Sequence, residues 1–227
     1  NYFSIIIGTH ALFNKEISFM NLNLLIIDEE HKFGVRQKEQ IRSLKNGINV
    51  ISLSATPIPR TLNLSLSKVR DISLITTPPT GRKSVKTIVS RYSKSLVFEA
   101  IQREFYRDGQ VFYLLNNVSM LEEKKKEISD RFPEKKVAFA HGQLRPKELS
   151  KVMESFIRKE IDLLVCTTII ESGIDIENAN TLIVEESENY GLSQLHQIRG
   201  RVGRSKREAY AYFFLNENKE LKNKASE

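Results

Sequence analysis

Three carboxylates and a histidine directly follow an apolar run in the segment LLIIDEEH, residues 24–31. If that run is a strand of an open parallel sheet, Asp28 and Glu29 lie at its carboxyl end, where ligands bind in such sheets. A carboxylate there can hold Mg²⁺ through the ion's water shell, and a second one can polarise an attacking water. Taken alone, three acids after a strand are more typical of a solvated turn. The interpretation therefore depends on the rest of the chain.

Small hydroxyl residues follow two other predicted strands. Ser54 and Thr56 come after the run that ends near residue 54, and Thr167 comes after the run 163–166. Gly173 and Asp175 follow Thr167 within the same loop. Hydroxyls and backbone amides at strand ends suit contacts with phosphate groups, because they bind a phosphate backbone of any base sequence.

The segment QIRGRVGR, residues 197–204, places Gln197, Arg201 and Arg204 around two glycines. Glycine lets the backbone approach a ligand closely, and the planar guanidinium group suits phosphate oxygens. Five basic residues and no acid lie between residues 199 and 207. The glycines favour a phosphate site over a simple solvated face, and an arginine finger on a Mg²⁺-nucleotide is the chemistry that such a segment could perform.

The elements that position these residues are short apolar runs alternating with amphipathic segments. The runs predict strands at 4–7, 24–28, 50–54, 72–76, 87–91, 111–115, 136–140, 163–166, 181–184 and 210–214. Three-to-four spacing predicts helices at 95–107, 119–131 and 146–159. Several strands are continuous in Val, Ile and Leu, as strands covered on both faces of a parallel sheet are. The alternation predicts a doubly wound α/β fold.

Prolines, a glycine and small polar residues break both periodicities in TTPPTGRKS, residues 76–84. We therefore expect residues 1–76 to belong to one domain, residues 77–85 to be a linker, and residues 86–227 to form a second domain.

The bulk composition is that of a globular protein. Of the 227 residues, 40% are hydrophobic and 28% charged, and no apolar run is long enough to cross a membrane. The net charge of +7 and pI near 9.4 are compatible with a polyanionic partner without requiring one.

The acids and lysines of EEKKK, residues 122–126, predict an exposed helix face. The single cysteine, Cys166, lies in an apolar run and predicts a buried core thiol, consistent with a reducing cytoplasm.

Together and in this order, DEEH, SAT, TTIIESGID and QIRGRVGR resemble motifs II, III, V and VI of superfamily 2 helicases and translocases. The resemblance covers essentially the whole chain and implies RecA-like parallel sheets flanked by helices. Within the superfamily, DEEHKFGVRQKE, AHGQL and ANTLIVEESENYGLSQLHQIRGRVGRS are most similar to the bacterial transcription-repair coupling factors. The RecG helicases share ATPIPRTL and much of the last motif, but they usually read DEQH at motif II.

This resemblance implies roles in an ATP site for several residues. Asp28 would hold Mg²⁺ through water, Glu29 would activate the hydrolytic water, and His31 would couple the nucleotide state to motif III. Gln197, Arg201 and Arg204 would reach the γ-phosphate, with Arg204 as the first choice for the finger. The remaining implied residues contact the nucleotide (Gly173 and Asp175) or couple ATP to DNA (Ser54 and Thr56).

The resemblance also implies a track for double-stranded DNA, lined by Thr9, His10, Arg60 and Thr167. Residues 1–76 would be the C-terminal part of a first motor lobe with motifs Ic, II and III. Residues 86–227 would be a complete second lobe with motifs IV, V and VI. RNA polymerase and the excision-repair damage-recognition protein would bind regions outside this chain. We expect a bacterial cytoplasmic location and no membrane partner.

A motor of this class needs a phosphate-binding loop of the form G-x-x-x-x-G-K-[ST], and the chain contains none. The GRKS at 81–84 has the wrong spacing. We therefore expect the chain to be an internal segment whose full-length protein hydrolyses ATP with Mg²⁺, and the segment alone to be inactive. Two alternatives remain open: a RecG-like helicase acting on branched DNA, and a nucleic-acid-binding module without catalysis.

Overall fold

The computed structural model describes residues 5–14, 17–30, 33–44, 47–54, 71–77, 83–168, 176 and 178–216. The chain divides into two compact units, residues 1–57 and residues 58–227. The division falls within residues that the structure does not describe, so the expected domain boundary at residue 76 and the linker 77–85 stay predictions. Among the described residues, none of the helices combines the length and the apolar character that crossing a membrane requires.

The first unit contains a parallel pair of strands and one helix among its described residues. Strand β1 (Leu24–Asp28) pairs in parallel with strand β2 (Asn49–Leu53), and helix α1 (Val35–Leu44) lies between them in the chain. The side chains of Ile27 and Ile41 are buried. A turn of 3₁₀ helix (His10–Phe13) precedes β1.

The second unit is built on a six-stranded parallel sheet. Its strands are β3 (Lys86–Arg91), β4 (Gln110–Leu114), β5 (Val137–Ala140), β6 (Leu163–Cys166), β7 (Ala179–Val184) and β8 (Tyr210–Leu215). Their spatial order is β3-β8-β7-β4-β6-β5. The central strands β4, β6 and β7 are buried along their whole length, which explains their continuous apolar sequences.

Helices cover both faces of this sheet. Helices α2 (Lys94–Tyr106) and α3 (Leu121–Arg131) pack on one face, where Ile101 and Ile128 join a core with Tyr113 and Phe214. Helices α4 (Pro146–Ile157) and α5 (Leu192–Arg199) pack on the other face, through Phe156 and Ile198. The predicted doubly wound α/β fold with RecA-like parallel sheets is confirmed.

Sequence signals at helix starts agree with this structure. Ser93 precedes α2 and its hydroxyl accepts a hydrogen bond from the Leu96 amide at 3.5 Å, which satisfies one of the amides that a first turn leaves open. Helix α4 begins with Pro146, whose missing N–H costs nothing at a first helical position.

Two predicted strands are not found. Residues 5–7 of the predicted strand 4–7, and all of 72–76, are described without a strand partner. Their apolar side chains are largely exposed, with Ile7 at 93% and Ile75 at 95%. An apolar run becomes a strand only when a neighbouring strand accepts its backbone hydrogen bonds, and no described strand does so here.

Candidate functional site

Asp28 and Glu29 lie at the carboxyl end of β1, as predicted. Asp28 is the last residue of the strand, is exposed, and stands opposite Leu53 of β2 in the register of the sheet. The Glu29 amide donates a hydrogen bond to the Leu53 carbonyl at 2.9 Å, which continues the ladder one residue past the strand. The two carboxylates therefore project from the sheet edge where open parallel sheets bind ligands.

Glu29 adopts a left-handed backbone conformation with φ of 53°. A non-glycine residue in this region carries strain that the surrounding structure has to offset, and such residues concentrate at functional sites. Its side chain is half-buried, whereas Asp28 is exposed. Adjacent carboxylates thus have different environments, as two carboxylates with different tasks would need.

Ser54 follows β2 and reaches the same sheet edge. It comes directly after Leu53, the residue whose carbonyl accepts the Glu29 hydrogen bond. Two residues before Ser54, the Ser52 hydroxyl donates a hydrogen bond to Glu30 Oε2 at 2.7 Å. The structure therefore brings Asp28, Glu29 and Ser54 to adjacent strand ends, and a side-chain hydrogen bond joins the two strands beside them.

Thr9 and His10 lie on a different feature of the first unit. Thr9 caps the short 3₁₀ turn, and its hydroxyl accepts a hydrogen bond from the Ala11 amide at 3.4 Å. His10 is the first residue of that turn, and both side chains are exposed. The capping hydrogen bond alone can explain why residue 9 carries a hydroxyl. Because both side chains are exposed, both are also accessible to a ligand.

In the second unit, Thr167 lies at the carboxyl edge of the six-stranded sheet. It follows Cys166, the last residue of β6, and its amide donates to the Ala140 carbonyl of β5 at 3.3 Å. Thr167 is half-buried, whereas Cys166 is fully buried. Burial raises the pKa of the Cys166 thiol well above its ordinary value, so the thiol stays protonated and acts as a core residue.

The arginine segment lies at the opposite edge of that sheet. Helix α5 starts after the carboxyl end of β7, and the loop that follows it reaches the amino ends of β7 and β8. There the Ser205 hydroxyl donates to Asn180 Oδ1 of β7 at 2.8 Å. Gly203 packs so closely against Ala209 and Val85 that an added Cβ would lie 2.9 and 3.0 Å from them. Thr167 and the arginine loop are therefore on different edges of the unit.

The backbone conformation of Gly203 also explains why a glycine stands at this position. Its φ of +74° lies in the left-handed region, which glycine adopts without strain. Arg201 on one side of it is half-buried, and Arg204 on the other side is exposed. The loop therefore presents its two arginines in different environments, with Gln197 one turn earlier on α5.

Two other basic residues of the cluster contact their own unit. Arg199 Nη2 lies 3.0 Å from His196 Nδ1. Burial and the nearby Arg199 charge lower the pKa of His196, which favours the neutral ring. Arg207 donates to the Arg107 carbonyl at 2.7 Å. Arg199 and Arg207 therefore have contacts within their own unit, whatever ligand the loop binds.

Five predicted site residues lie outside the described residues: His31, Thr56, Arg60, Gly173 and Asp175. Their roles stay predictions. The described candidates are Thr9, His10, Asp28, Glu29 and Ser54 in the first unit, and Thr167, Gln197, Arg201 and Arg204 in the second.

The prediction that EEKKK forms an exposed face is wrong for Lys124. Its side chain is only 12% exposed, and its ammonium lies 3.0 Å from Glu185. Lys124 shares a helix face with the buried residues Leu121 and Ile128, three positions before it and four positions after it. This spacing indicates that Lys124 faces the core, but the five consecutive charged residues of EEKKK favoured the interpretation as an exposed face.

Comparison with known families agrees with this arrangement. Residues 1–64 match the DEAD/DEAH box helicase family, and residues 94–206 match the helicase conserved C-terminal domain. The two matches occur in the order that the motifs predict. The chain belongs to the superfamily 2 helicases. The predicted resemblance is thereby confirmed, and Asp28 and Glu29 fall within the first match.

The helicase segment is similar over its whole length to bacterial repair proteins. It is 51% identical over 226 residues to the transcription-repair-coupling factor of Staphylococcus epidermidis, a match that takes in 100% of the chain and 19% of the relative. It is also 51% identical over 220 residues to the same factor of Staphylococcus aureus, covering 97% and 19%. The chain thus spans about a fifth of the length of these relatives.

Solved helicase structures share the fold. RecG bound to a three-way DNA junction matches with a TM-score of 0.72 and 37% identity, over 94% of this chain and 28% of that chain. The Dbp5 protein of S. cerevisiae bound to RNA and ADP BeF3 matches with a TM-score of 0.65 and 13% identity, over 92% and 57%. The second likeness supports the fold alone.

Proposed function

We propose that this chain is part of the motor of an ATP-driven double-stranded DNA translocase, within a transcription-repair coupling factor that acts on stalled RNA polymerase. The observation that carries the proposal is the placement of Asp28, Glu29 and Ser54 at adjacent strand ends. The 51% identity to coupling factors over the whole chain supports the choice within the helicases.

The residues at the end of β1 fit a hydrated Mg²⁺-nucleotide. Asp28 offers exposed carboxylate oxygens, the hard ligands that Mg²⁺ prefers, and Mg²⁺ usually keeps several of its waters. When bound, the ion would neutralise charge on the phosphates of ATP. Asp28 would hold the ion's water shell, and the half-buried Glu29 would orient and deprotonate the attacking water.

The other candidates complete the proposed site. Gln197, Arg201 and Arg204 contact the γ-phosphate, with Arg204 stabilising the charge that develops during transfer. Outside the described residues, Gly173 and Asp175 contact the nucleotide, and His31 and Thr56 act with Ser54 to couple it to DNA. Thr9, His10, Arg60 and Thr167 grip the duplex backbone. RNA polymerase and the damage-recognition protein bind other regions of the full-length protein.

We expect the 227-residue chain alone to hydrolyse no ATP, because it lacks the G-x-x-x-x-G-K-[ST] loop that binds the phosphates.

The identity of 37% to RecG gives a second candidate function, that of a helicase that remodels branched DNA. Substrate preference separates the two: a translocase is stimulated by plain linear duplex, whereas a RecG-like enzyme requires a junction.

Steady-state ATP hydrolysis by the full-length protein, with and without linear duplex DNA, tests the proposal. Wild type should be stimulated by the duplex. Glu29→Gln should lower kcat by at least about a hundredfold while the Kd for ATP stays within about twofold, because the variant loses a general base and keeps the phosphate contacts.

Glu39→Gln is the matched control, since it makes the same change at an exposed residue of α1. It should keep wild-type kcat. Turnover of Glu29→Gln at the wild-type rate would refute the role of Glu29, and absence of duplex-stimulated turnover in wild type would refute the proposed function.

A further inference from the structure

Lys124 and Glu185 form a buried ion pair between two distant parts of the second unit. Lys124 lies on α3, and Glu185 follows the last residue of β7. Each side chain is only 12% exposed, and Lys124 Nζ lies 3.0 Å from Glu185 Oε1. The pair lies at the carboxyl edge of the sheet, where the Glu185 amide also donates to the Leu114 carbonyl of β4 at 3.1 Å.

Each charge also has a partner outside the pair. The Lys124 ammonium also lies 2.9 Å from Glu127 Oε2 and donates to the Tyr92 hydroxyl at 3.2 Å. The hydroxyl of the fully buried Tyr113 donates to Glu185 Oε1. Burial alone would lower the pKa of Lys124, but the carboxylates of Glu185 and Glu127 outweigh burial and hold that pKa above its ordinary value.

A buried ion pair with several fixed partners holds the elements that carry it in one relative position, but it adds little to the free energy of unfolding. The desolvation of the two charges offsets most of their attraction, and an apolar pair often stabilises a fold as well. The pair favours one position of α3 relative to the end of β7, because both charges lose their partners if either element shifts. Glu185 is therefore held at a fixed place relative to α3 and β4.

The backbone directly after Glu185 is strained and held from its other side. Glu186 has φ of 48°, in the left-handed region. Its carboxylate accepts hydrogen bonds from Asn189 Nδ2 at 2.9 Å and from Asn216 Nδ2, just beyond β8, at 3.4 Å. A strained residue persists only where its surroundings fix it. The ion pair and these two amides are among the contacts that fix it.

This fixed segment leads directly into α5, the helix that precedes the loop with the proposed phosphate-binding arginines. Tyr190 is buried five residues after Glu185, and α5 begins at Leu192. Ile198 of α5 and Val202 of the arginine loop belong to the same buried core as Tyr190. The first residues of α5 are exposed, so a displacement after Glu185 would reach the arginine loop through this shared core, from Tyr190 to Val202.

We infer that Lys124 and Glu185 are positioning residues that fix the start of α5 and, through it, the placement of Arg201 and Arg204. The catalytic consequence of this inference rests on the proposed function, in which those arginines contact the γ-phosphate. The structural consequence, that the pair controls the order of residues 186–204, does not.

The test uses the double variant Lys124→Met, Glu185→Gln in the full-length protein. It leaves no unpaired buried charge, and the glutamine carbonyl still accepts the Tyr113 hydrogen bond, so the fold is expected to persist. The control is Lys94→Met, because Lys94 also contacts Glu127, at 2.6 Å, but is 61% exposed and has no contact with Glu185. Lys124→Arg should retain wild-type behaviour, since a guanidinium can still bridge the carboxylates.

The first readout is hydrogen exchange, which needs no enzymatic activity. Amides of residues 186–202 should exchange at least about tenfold faster in the double variant than in wild type or Lys94→Met, whereas α4 should be unchanged. Unchanged exchange in residues 186–202, or an equal increase throughout the unit, would overturn the inference.

The second readout is duplex-stimulated kcat. The double variant should lose about tenfold, because displaced phosphate contacts cost that much or more. In a background that carries both Arg201→Ala and Arg204→Ala, the same pair of changes should cost no further loss, as expected of residues that act through those two arginines. Independent, multiplying losses would overturn the inference. A wild-type protein without duplex-stimulated turnover would contradict the proposed function, while the exchange measurement would still decide the positioning role.

Discussion

At the scale of single residues, neighbouring side chains at the strand ends have different environments. Asp28 is exposed at the end of β1, and the strained Glu29 beside it is half-buried. Cys166 and Thr167 show the same contrast at the end of β6, where one side chain is sealed in the core and the next reaches the sheet edge. Access to a ligand at these strand ends therefore depends on single positions in the chain.

The hydroxyl of Thr167 gives a residue-scale prediction about DNA binding. Thr167→Val in the full-length protein keeps the side-chain shape and removes one hydrogen bond. The duplex concentration that gives half-maximal ATPase stimulation should rise about three- to tenfold, as expected for the loss of about 1 kcal/mol, while kcat at saturating DNA stays within about twofold.

Thr87→Val is the matched control, since Thr87 is an exposed hydroxyl residue at the amino edge of the same sheet, on β3. It should behave as wild type. Equal effects of the two substitutions, or none at Thr167, would remove Thr167 from the proposed DNA track.

At the scale of elements, the loop between α5 and β8 depends on one glycine. Gly203 has φ of +74°, and a Cβ there would lie 2.9 Å from the Ala209 Cβ and 3.0 Å from the Val85 Cγ2. Gly203→Ala combines left-handed strain with a contact too close for real Cβ atoms. We expect a loss of about 3 kcal/mol in the free energy of unfolding of the second unit.

Thermal and denaturant unfolding of the 227-residue chain measures this loss. Gly191→Ala serves as the control, because Gly191 has an ordinary φ of −69° and an added Cβ would meet nothing within 4 Å. As an N-cap substitution it should cost no more than about 1 kcal/mol. Equal losses for the two substitutions would show that the tight packing of Gly203 does not stabilise the loop.

Element positions could be predicted well where a segment is buried on both faces. Strand β6 lies where the run 163–166 predicts it, and β4 differs by a single residue at each end. Interpreting apolar runs as strands also predicted strands at 4–7 and 72–76, where the described residues form none. Apolar content indicates that a segment can be buried, whereas strand formation also needs a partner, which sequence periodicity does not reveal.

The candidate site could be predicted in part for the same reason. Asp28, Glu29 and Thr167 follow recognisable strands, so their place at carboxyl edges could be inferred. The position of the arginine loop at the opposite edge of its sheet depends on where α5 ends, and α5 was not among the predicted helices. The burial of Lys124 depends on Glu185, 61 positions later in the chain, and local charge patterns do not report such contacts.

At the scale of the whole molecule, the two units differ in how much core they contain. The second unit has two buried clusters, one on each face of a six-stranded sheet. In the first unit, the described sheet has two strands, and Leu24, Ile26, Ile51 and Leu53 remain about half exposed. A two-stranded sheet is marginal alone, which is why tests of the ATP site use the full-length protein.

We propose that the full-length protein moves along duplex DNA by hydrolysing ATP. The most direct measurement is displacement of a triplex-forming oligonucleotide from a linear, unbranched duplex. Wild type should release the third strand only when ATP and Mg²⁺ are present, and Glu29→Gln should release none. Release without ATP, or no release by a protein that hydrolyses ATP on the same duplex, would contradict ATP-driven movement along DNA.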